Sequence, residues 1–192
     1  YKSVKILITG CAGFIGFHLV NNLIKSKSVN IYGIDNLDKH TGYKIKKDRL
    51  DILKKNKNFI FKKLDISHYS SLKKIFDENK FEIVINLAAL AGIRNSLENP
   101  KKYFLSNIIG FYNVLDICIK NNVKKLLFAS SSSVYGEARK YPTKESDITD
   151  LQSSFYASTK KINELIAKSL SQDKSLIIIG LRFFTVYGPF GR

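Results

Sequence analysis

The sequence predicts an α/β protein with a doubly wound parallel sheet and helices on both faces. Six short apolar segments, rich in Ile, Val, Leu and Phe, show little polar alternation, which is typical of strands buried on both faces of a parallel sheet. The segments between them carry apolar residues at helical spacing. The 192 residues suffice for one domain with a hydrophobic core and are short for two.

The strands and helices alternate along the chain. The predicted strands cover 4–9, 30–35, 59–65, 82–89, 124–130 and 176–184. The predicted helices cover 14–26, 71–79, 108–122 and 153–170. The apolar stripe of the first helix consists of Ile15, Leu19, Leu23 and Ile24. The last helix has a serine as its N-cap. The residues that lie on related faces of this helix are Tyr156, Ile162, Leu165 and Ile166. The polar stretch 135–152 is predicted to be a surface loop near a site.

Composition argues against nucleic-acid-binding, membrane-spanning and metal-binding classes of protein. The net charge of +16 comes from scattered lysines without arginine-rich or aromatic-interleaved stripes, so we interpret them as solvated surface, not a nucleic-acid interface. No segment reaches the ~18 consecutive apolar residues of a membrane helix, and no signal peptide is visible. Cys11 and Cys118 lie far apart, and no cluster of His and Cys suggests a metal. We expect reduced thiols in a cytoplasmic protein.

The segment "TGCAGFIG" lies between the first strand and the first helix and contains Gly10, Gly13 and Gly16. Glycines in this context predict a dinucleotide-binding loop: a tight turn, close approach of the pyrophosphate, and close packing of the helix. Asp35 ends the second strand, 19 positions after Gly16. A carboxylate there accepts hydrogen bonds from the adenosine ribose hydroxyls and repels a 2′-phosphate, which favours NAD over NADP.

The segment "FYASTKK" places Tyr156 and Lys160 four residues apart, on one face of the last predicted helix. An ammonium beside a phenol is expected to lower the tyrosine pKa, so that Tyr156 can serve as general acid or base. After a dinucleotide-binding loop, this pair predicts an enzyme.

Several strings resemble the extended short-chain dehydrogenase/reductase family of nucleotide-sugar enzymes: "TGCAGFIG", "DNL", "LDI", "NLAALAG", "SSSSVYG" and "YASTK". The resemblance covers essentially the whole chain. Longer strings are similar to UDP-glucuronate 4-epimerases: "AGIRNSLENP", "ASSSSVYG", "YASTKKINELIA" and "LRFFTVYGPFGR". The resemblance implies a Rossmann-like NAD-binding domain over 1–192, with a C-terminal part that binds the nucleotide sugar largely missing from this chain.

The resemblance also implies roles for individual residues. The catalytic residues would be Ser131, Tyr156 and Lys160. The cofactor would be bound by Gly10, Gly13, Phe14, Ile15, Gly16, Asp35, Asn36, Lys39, Asp65, Ile66, Leu87, Ala88, Ala89, Ala91, Asn107, Ser130, Tyr156, Lys160 and Phe184. The sugar would be bound by Arg94, Ser131, Ser132, Ser133, Tyr156, Thr185 and Arg192.

The implied reaction inverts C4 of a UDP-sugar, most directly UDP-glucuronate, through a 4-keto intermediate. Relatives that dehydrate or decarboxylate carry acidic residues just after the catalytic Ser/Thr, where this chain has Ser132 and Ser133. Alternatives are a UDP-glucose/galactose 4-epimerase, a UDP-glucuronate decarboxylase, and a non-catalytic NAD-binding module. The family's mode of dimerisation, through segments matching 98–120 and 153–171, implies a homodimer.

Overall fold

A computed structural model describes residues 3–39, 42–137, 141–171 and 175–191. The strands are β1 (Val4–Thr9), β2 (Val29–Asp35), β3 (Phe59–Lys63), β4 (Ile83–Asn86), β5 (Lys125–Ser131) and β6 (Ile177–Phe183). The helices are α1 (Phe14–Leu23), α2 (Tyr43–Leu53), α3 (Tyr69–Glu78), α4 (Ile93–Glu98), α5 (Pro100–Tyr103), α6 (Gly110–Lys120) and α7 (Phe155–Leu170). A π-helical segment, Phe104–Ile109, joins α5 to α6, and a 3₁₀ turn, Ser132–Tyr135, follows β5.

The strands form one sheet in the order β3-β2-β1-β4-β5-β6. Every neighbouring pair is parallel. This confirms the predicted doubly wound arrangement, and the strand order reverses between β1 and β4. In such sheets a ligand cleft opens at that reversal, outside the carboxyl ends of the strands.

Apolar side chains cover both faces of the sheet, which explains why the strands lack polar alternation. On one face Ile6 and Ile8 of β1 pack in a cluster with Phe17 and Val20 of α1. Leu7 points to the other face and belongs to a cluster formed largely by α3, α6 and the sheet. The core therefore lies in two layers that hold the strand ends fixed.

The fourth strand is shorter than predicted. The apolar residues 87–89 leave the sheet after Asn86, although their composition is that of a strand. A side chain on Gly10 would lie 2.7 Å from the Ala88 amide nitrogen, so the two loops that follow β1 and β4 touch through their backbones. Residues 87–89 line the cleft there and do not extend the sheet.

The predicted stripe of α1 is confirmed for Ile24, which belongs to the core cluster, and for Leu19 and Leu23, which pack against that cluster, whereas Ile15 lines the cleft. The predicted stripe of α7 is wrong in detail. In α7 the buried positions include Lys160 and Asn163, and Leu165 is 51% exposed. The buried face of α7 carries small and polar side chains because part of it serves the cleft, so Leu165 faces outward.

Helices α2, α4 and α5 were not predicted from the sequence. The lysines of α2 are interpreted, from the sequence alone, as solvated surface. In the structure, however, Lys46 and Arg49 are buried against the loop after β1.

Within the part of the chain that the structure describes, no helix is long and apolar enough to cross a membrane.

Candidate active site

Two positions, one in the loop after β1 and one in the first turn of α1, require glycine. Gly10 has φ +70°, in the left-handed region that favours glycine. A Cβ on Gly16 would lie 2.2 Å from the Gly10 carbonyl oxygen. The loop is tied to β2 because the Gly10 amide donates to the Ile34 carbonyl at 2.7 Å. The first turn of α1 therefore lies directly against the end of the sheet.

The N-terminus of α1 faces a cleft and is open to an anion. Its N-cap is Gly13, which supplies no side-chain acceptor, and its first turn contains no acidic residue. The amide N–H groups and the helix dipole can therefore act on a bound phosphate. This arrangement fits the pyrophosphate of a dinucleotide.

Cys11, inside the same loop, is a packing residue. It is fully buried, and its sulfur fills the space left by the missing side chain of Gly33. Burial and the nearby Asp35 carboxylate raise the pKa of the Cys11 thiol well above its ordinary value. The sulfur therefore stays neutral and unreactive.

Asp35 lies buried at the end of β2, beside this loop. Its carboxylate accepts hydrogen bonds from the Ala12 amide at 3.2 Å and the Leu37 amide at 2.8 Å. It also pairs with the Lys46 ammonium at 3.2 Å. A carboxylate has about four acceptor positions, so one remains for a ribose hydroxyl.

Other predicted adenosine contacts gather at the same end of the cleft. Asn36 donates to the Asp65 carboxylate at 2.8 Å. Asn36, Asp65 and Ile66 line the cleft, whereas Lys39 is exposed and lies outside its lining. Arg49, which the sequence did not single out, donates to the Ala12 carbonyl at 2.9 Å and to the Phe190 carbonyl.

The cleft is one continuous cavity of about 1160 Å³ that runs from this end to the last helix. Predicted cofactor residues line it: Gly10, Gly13, Phe14, Ile15, Gly16, Leu87, Ala88, Ala89, Ala91, Ser130 and Phe184. Its volume is at the upper end of ligand pockets. The cavity is thus large enough for an extended ligand such as a dinucleotide.

Asn107 supports the cavity wall from behind. Its side-chain amide bonds both backbone groups of Leu90, at 2.8 and 3.0 Å, and donates to the Thr159 hydroxyl at 3.1 Å. Asn107 lies in the π-helical segment, a distortion often found at functional sites. It links the loop after β4 to α7 beside Lys160.

The predicted catalytic residues meet at one place in the cavity. Ser131, Tyr156 and Lys160 all line it, and the Ser131 hydroxyl donates to the Ser133 hydroxyl at 3.1 Å. The Lys160 ammonium donates to the Ala129 carbonyl at 2.8 Å and lies 6.0 Å from the centre of the Tyr156 ring. Tyr103 packs edge-on against the same ring.

The expected lowering of the Tyr156 pKa is wrong for this structure. Burial raises the pKa of Tyr156, and the neighbouring Ser131 hydroxyl offsets only part of that rise. Burial also lowers the pKa of Lys160 to about 8. The ammonium is bonded to a backbone carbonyl and not to the phenol. A cation nearer the Tyr156 hydroxyl would be needed to form the phenolate at neutral pH.

Some of the residues predicted to bind the sugar line the cavity, and others do not. Thr185 lines the cavity near Phe184, and Ser133 receives a hydrogen bond from Ser131 at 3.1 Å. Ser132 and Ser133 both lie in the 3₁₀ turn, outside the cavity lining. Arg94 is not brought to the cavity, because its guanidinium is exposed and pairs with Glu98 at 3.2 Å. Arg192 lies outside the described residues.

Sequence reasoning also missed an ion pair next to Ser130. Glu164 of α7 accepts two hydrogen bonds from Arg182 of β6, at 3.0 and 2.9 Å, and a third from the Ser130 hydroxyl. The Ser130 hydroxyl is therefore already committed within the protein. Nothing in the spacing of these residues reveals the pair, because three separate elements supply it.

Comparisons with known proteins agree with this geometry. Residues 6–192 match the model of the family described as "NAD dependent epimerase/dehydratase family". The chain is 48% identical over 189 residues to Protein CapI of Staphylococcus aureus, covering 98% of this chain and 56% of that protein. It is 44% identical over 192 residues to UDP-glucuronate 4-epimerase 2 of Arabidopsis thaliana, covering 100% of this chain and 44% of that protein.

A solved structure shows the same fold. UDP-glucuronic acid 4-epimerase from Bacillus cereus, in complex with UDP-glucuronic acid and NAD, superimposes with a TM-score of 0.91 at 33% identity. The match covers 98% of this chain and 59% of that one. The chain thus spans about half the length of the proteins that it resembles.

Proposed function

Because the chain belongs to the NAD dependent epimerase/dehydratase family, we propose that the full-length protein inverts C4 of UDP-glucuronate, forming UDP-galacturonate, with NAD as its cofactor. The observation that carries this proposal is the meeting of Ser131, Tyr156 and Lys160 in the same cavity as the Gly-rich loop. A binding module would need the loop but not the three reactive side chains.

The residues at the first half of the cavity suit NAD. The open N-terminus of α1 would bind the pyrophosphate, and Asp35 would bind the adenosine ribose. When bound, NAD supplies a hydride acceptor that can return the hydride in the same turnover. A 2′-phosphate placed at Asp35 would meet a carboxylate, which favours NAD over NADP.

At the other half, Tyr156 would form its phenolate once a cation lies near its hydroxyl. It would then take the proton from the C4 hydroxyl of the sugar as C4 is oxidised, and return it when C4 is reduced from the opposite face. Ser131 holds the same oxygen through its hydroxyl. Lys160 adds positive charge, which is available only below its pKa of about 8 unless a ligand hydroxyl replaces the Ala129 carbonyl as its partner. The configuration at C4 inverts, with no net oxidation.

The absence of a carboxylate at the reacting end favours epimerisation over decarboxylation or dehydration. Among the described cavity-lining residues, the acidic side chains are Asp35, Asp38 and Asp65, all at the carboxyl ends of β2 and β3. Ser132 and Ser133, which follow Ser131, are not acidic and lie outside the cavity lining, so the hydroxyls of Ser131 and Thr185 are the ones that could donate hydrogen bonds to a substrate carboxylate. A carboxylate held in this way would be less free to leave as CO₂ from the β-keto acid.

The substrate assignment is tested by assaying the full-length protein with UDP-glucuronate and with UDP-glucose. We expect kcat/KM for UDP-glucuronate to be higher by ~100-fold, the size expected when a site built to bind a charged group loses it. Equal values, or a higher value for UDP-glucose, would assign a neutral-sugar epimerase. Release of CO₂ with a UDP-pentose would assign a decarboxylase.

We also infer that the protein acts as a homodimer in the cytoplasm. Large apolar side chains are exposed on the helices of segments 98–120 and 153–171: Phe104, Leu105, Tyr112 and Leu165. An exposed apolar face of this kind suits a self-complementary interface between two copies.

The cytoplasmic location is supported by the cysteines. Both cysteines are unpaired and buried, as suits a reducing compartment.

A further inference from the structure

The end of β5 that carries Ser131 is held by the sheet on one side only. Strand β4 pairs with β5 as far as Phe128, whereas β6 pairs with it as far as Ser131. Residues Ala129–Ser131 therefore extend past one neighbour. A strand end with one partner moves more easily than one with two, so other contacts must fix Ser131 next to Tyr156.

Helix α7 supplies those contacts at two points. Lys160 donates to the Ala129 carbonyl at 2.8 Å, and the Ser130 hydroxyl donates to Glu164 one turn further along the helix. A bound NAD would offer Lys160 a ribose hydroxyl as an alternative partner, and the first contact would then be lost. The hydrogen bond between Ser130 and Glu164 does not depend on Lys160 and would still join α7 to this strand end.

Arg182 fixes the Glu164 carboxylate in place. It lies opposite Ser130 on β6 and binds both carboxylate oxygens, and both side chains are mostly buried. Burial alone would raise the pKa of Glu164, but the bonds from Arg182 and Ser130 hold that pKa below its ordinary value. Glu164 thus stays charged, and three elements are joined at one carboxylate.

Arg182 also reaches the wall of the cavity. Its guanidinium carbon lies 4.9 Å from the centre of the Tyr135 ring, and that ring stacks on Phe184. Its remaining nitrogen donates to the Glu145 carbonyl in the loop after the 3₁₀ turn. A lysine at this position could not make these contacts together, because it has one point charge in place of a planar fork.

We propose that Glu164 and Arg182 are positioning residues of the reaction: acting through Ser130, they hold the end of β5 that carries Ser131 in place beside Tyr156 in the cavity. This inference rests on the proposed function for its role in turnover, but the contact itself is a property of the chain.

The test is the titration of Tyr156 in the NAD-loaded full-length protein. Near-ultraviolet phenolate absorbance is measured against pH, and the curve of the same protein with Tyr156→Phe is subtracted, which isolates Tyr156. Besides Ser131, the polar groups that face its ring are Lys160 on α7 and Tyr103 on α5, and both stay unchanged. Movement of the Ser131 hydroxyl away from Tyr156 removes an interaction that lowers the pKa of Tyr156.

We expect Glu164→Gln to move the Tyr156 midpoint upward by ~1 pH unit, the size of one hydrogen bond. Arg182→Lys should move it in the same direction by less. Ser130→Ala removes only the connection to β5 and should reproduce the shift, which keeps the proposal testable if Glu164→Gln fails to fold. Asp77→Asn, which removes an exposed carboxylate paired with Lys73 at 2.6 Å, is the matched control and should leave the midpoint in place.

Unchanged midpoints in folded Glu164→Gln and Ser130→Ala proteins would overturn the proposal. The titration needs no substrate, so it gives an answer even if UDP-glucuronate is not converted, an outcome that would reject the proposed function alone. Where turnover is seen, the acidic limb of kcat/KM should move upward by the same amount. A purely structural role would lower the melting temperature and leave both midpoints in place.

Discussion

At the scale of single residues, the proposed chemistry depends on the Tyr156 hydroxyl. Tyr156→Phe removes the group that exchanges a proton with the sugar and keeps the ring that packs against Tyr103. We expect kcat of the full-length protein to fall by ~100-fold or more, the contribution of a positioned acid–base group, with unchanged NAD content. Tyr43→Phe, on the exposed start of α2, is the control. Near-normal turnover by Tyr156→Phe would remove Tyr156 from the mechanism.

Lys160 makes a second residue-scale prediction, about stability. Burial lowers its pKa from 10.5 to about 8 in the folded protein. Between these two pH values the unfolded chain binds more protons at this position, so the folded state gains stability as pH rises. The quantity to compare is the difference in unfolding free energy between the original protein and the Lys160→Met variant. We expect this difference to rise by about 3 kcal/mol in favour of the original protein as the pH increases from about 8 to 10.5. Denaturant unfolding at several pH values, without NAD, measures it, and a constant difference would contradict the buried ammonium.

Tyr156 and Lys160, which we propose to be catalytic, could be recognised in the sequence because they occur in a short string with fixed spacing. Tyr156 and Lys160 are four apart on one helix, and Gly10, Gly13 and Gly16 follow a strand. Glu164 and Arg182 could not be predicted, since their pairing depends on how α7 and β6 meet in space. Lys46 could not be distinguished in the sequence from the solvated lysines around it.

At the scale of elements, the contact between α1 and the Gly-rich loop determines whether the dinucleotide site can form. Gly16→Ala would place a Cβ 2.2 Å from the Gly10 carbonyl oxygen, so the helix must move away from the sheet. We expect a loss of ~2 kcal/mol in unfolding free energy, within the range for overpacking, and weaker NAD binding. Gly13→Ala meets the same oxygen at 3.0 Å and should cost clearly less stability. Equal stability losses in the two variants would contradict this close approach.

Strands were easier to predict than helices in this chain. The six strands were recognisable because both faces of the sheet are covered, so each strand is a short apolar run. Helix α2 lacks that signal, because its buried side also carries Lys46 and Arg49, which bind Asp35 and the backbone instead of packing as apolar groups. The break after β4 depends on contact with Gly10 and is invisible to local composition.

At the scale of the whole molecule, the exposed apolar side chains on α6, α7 and the π-helical segment make a prediction about assembly. Replacing Phe104 and Leu165 with Glu would place two charges in the proposed interface. We expect the full-length protein to change from dimer to monomer, measured by light scattering, with its helical content retained. Ile60→Glu, at an exposed position on the edge strand β3, is the control. A monomeric original protein, or a variant that stays dimeric, would reject this interface.

The central claim is that C4 of the sugar is inverted by removal and return of its own hydrogen. The most direct measurement is proton NMR of the product formed by the full-length protein from UDP-glucuronate in D₂O. Because a bound NAD would accept the hydride and return it to the same carbon without exchange with solvent, the account predicts UDP-galacturonate with hydrogen, not deuterium, at C4. Deuterium at C4, or a product with unchanged C4 configuration, would contradict it.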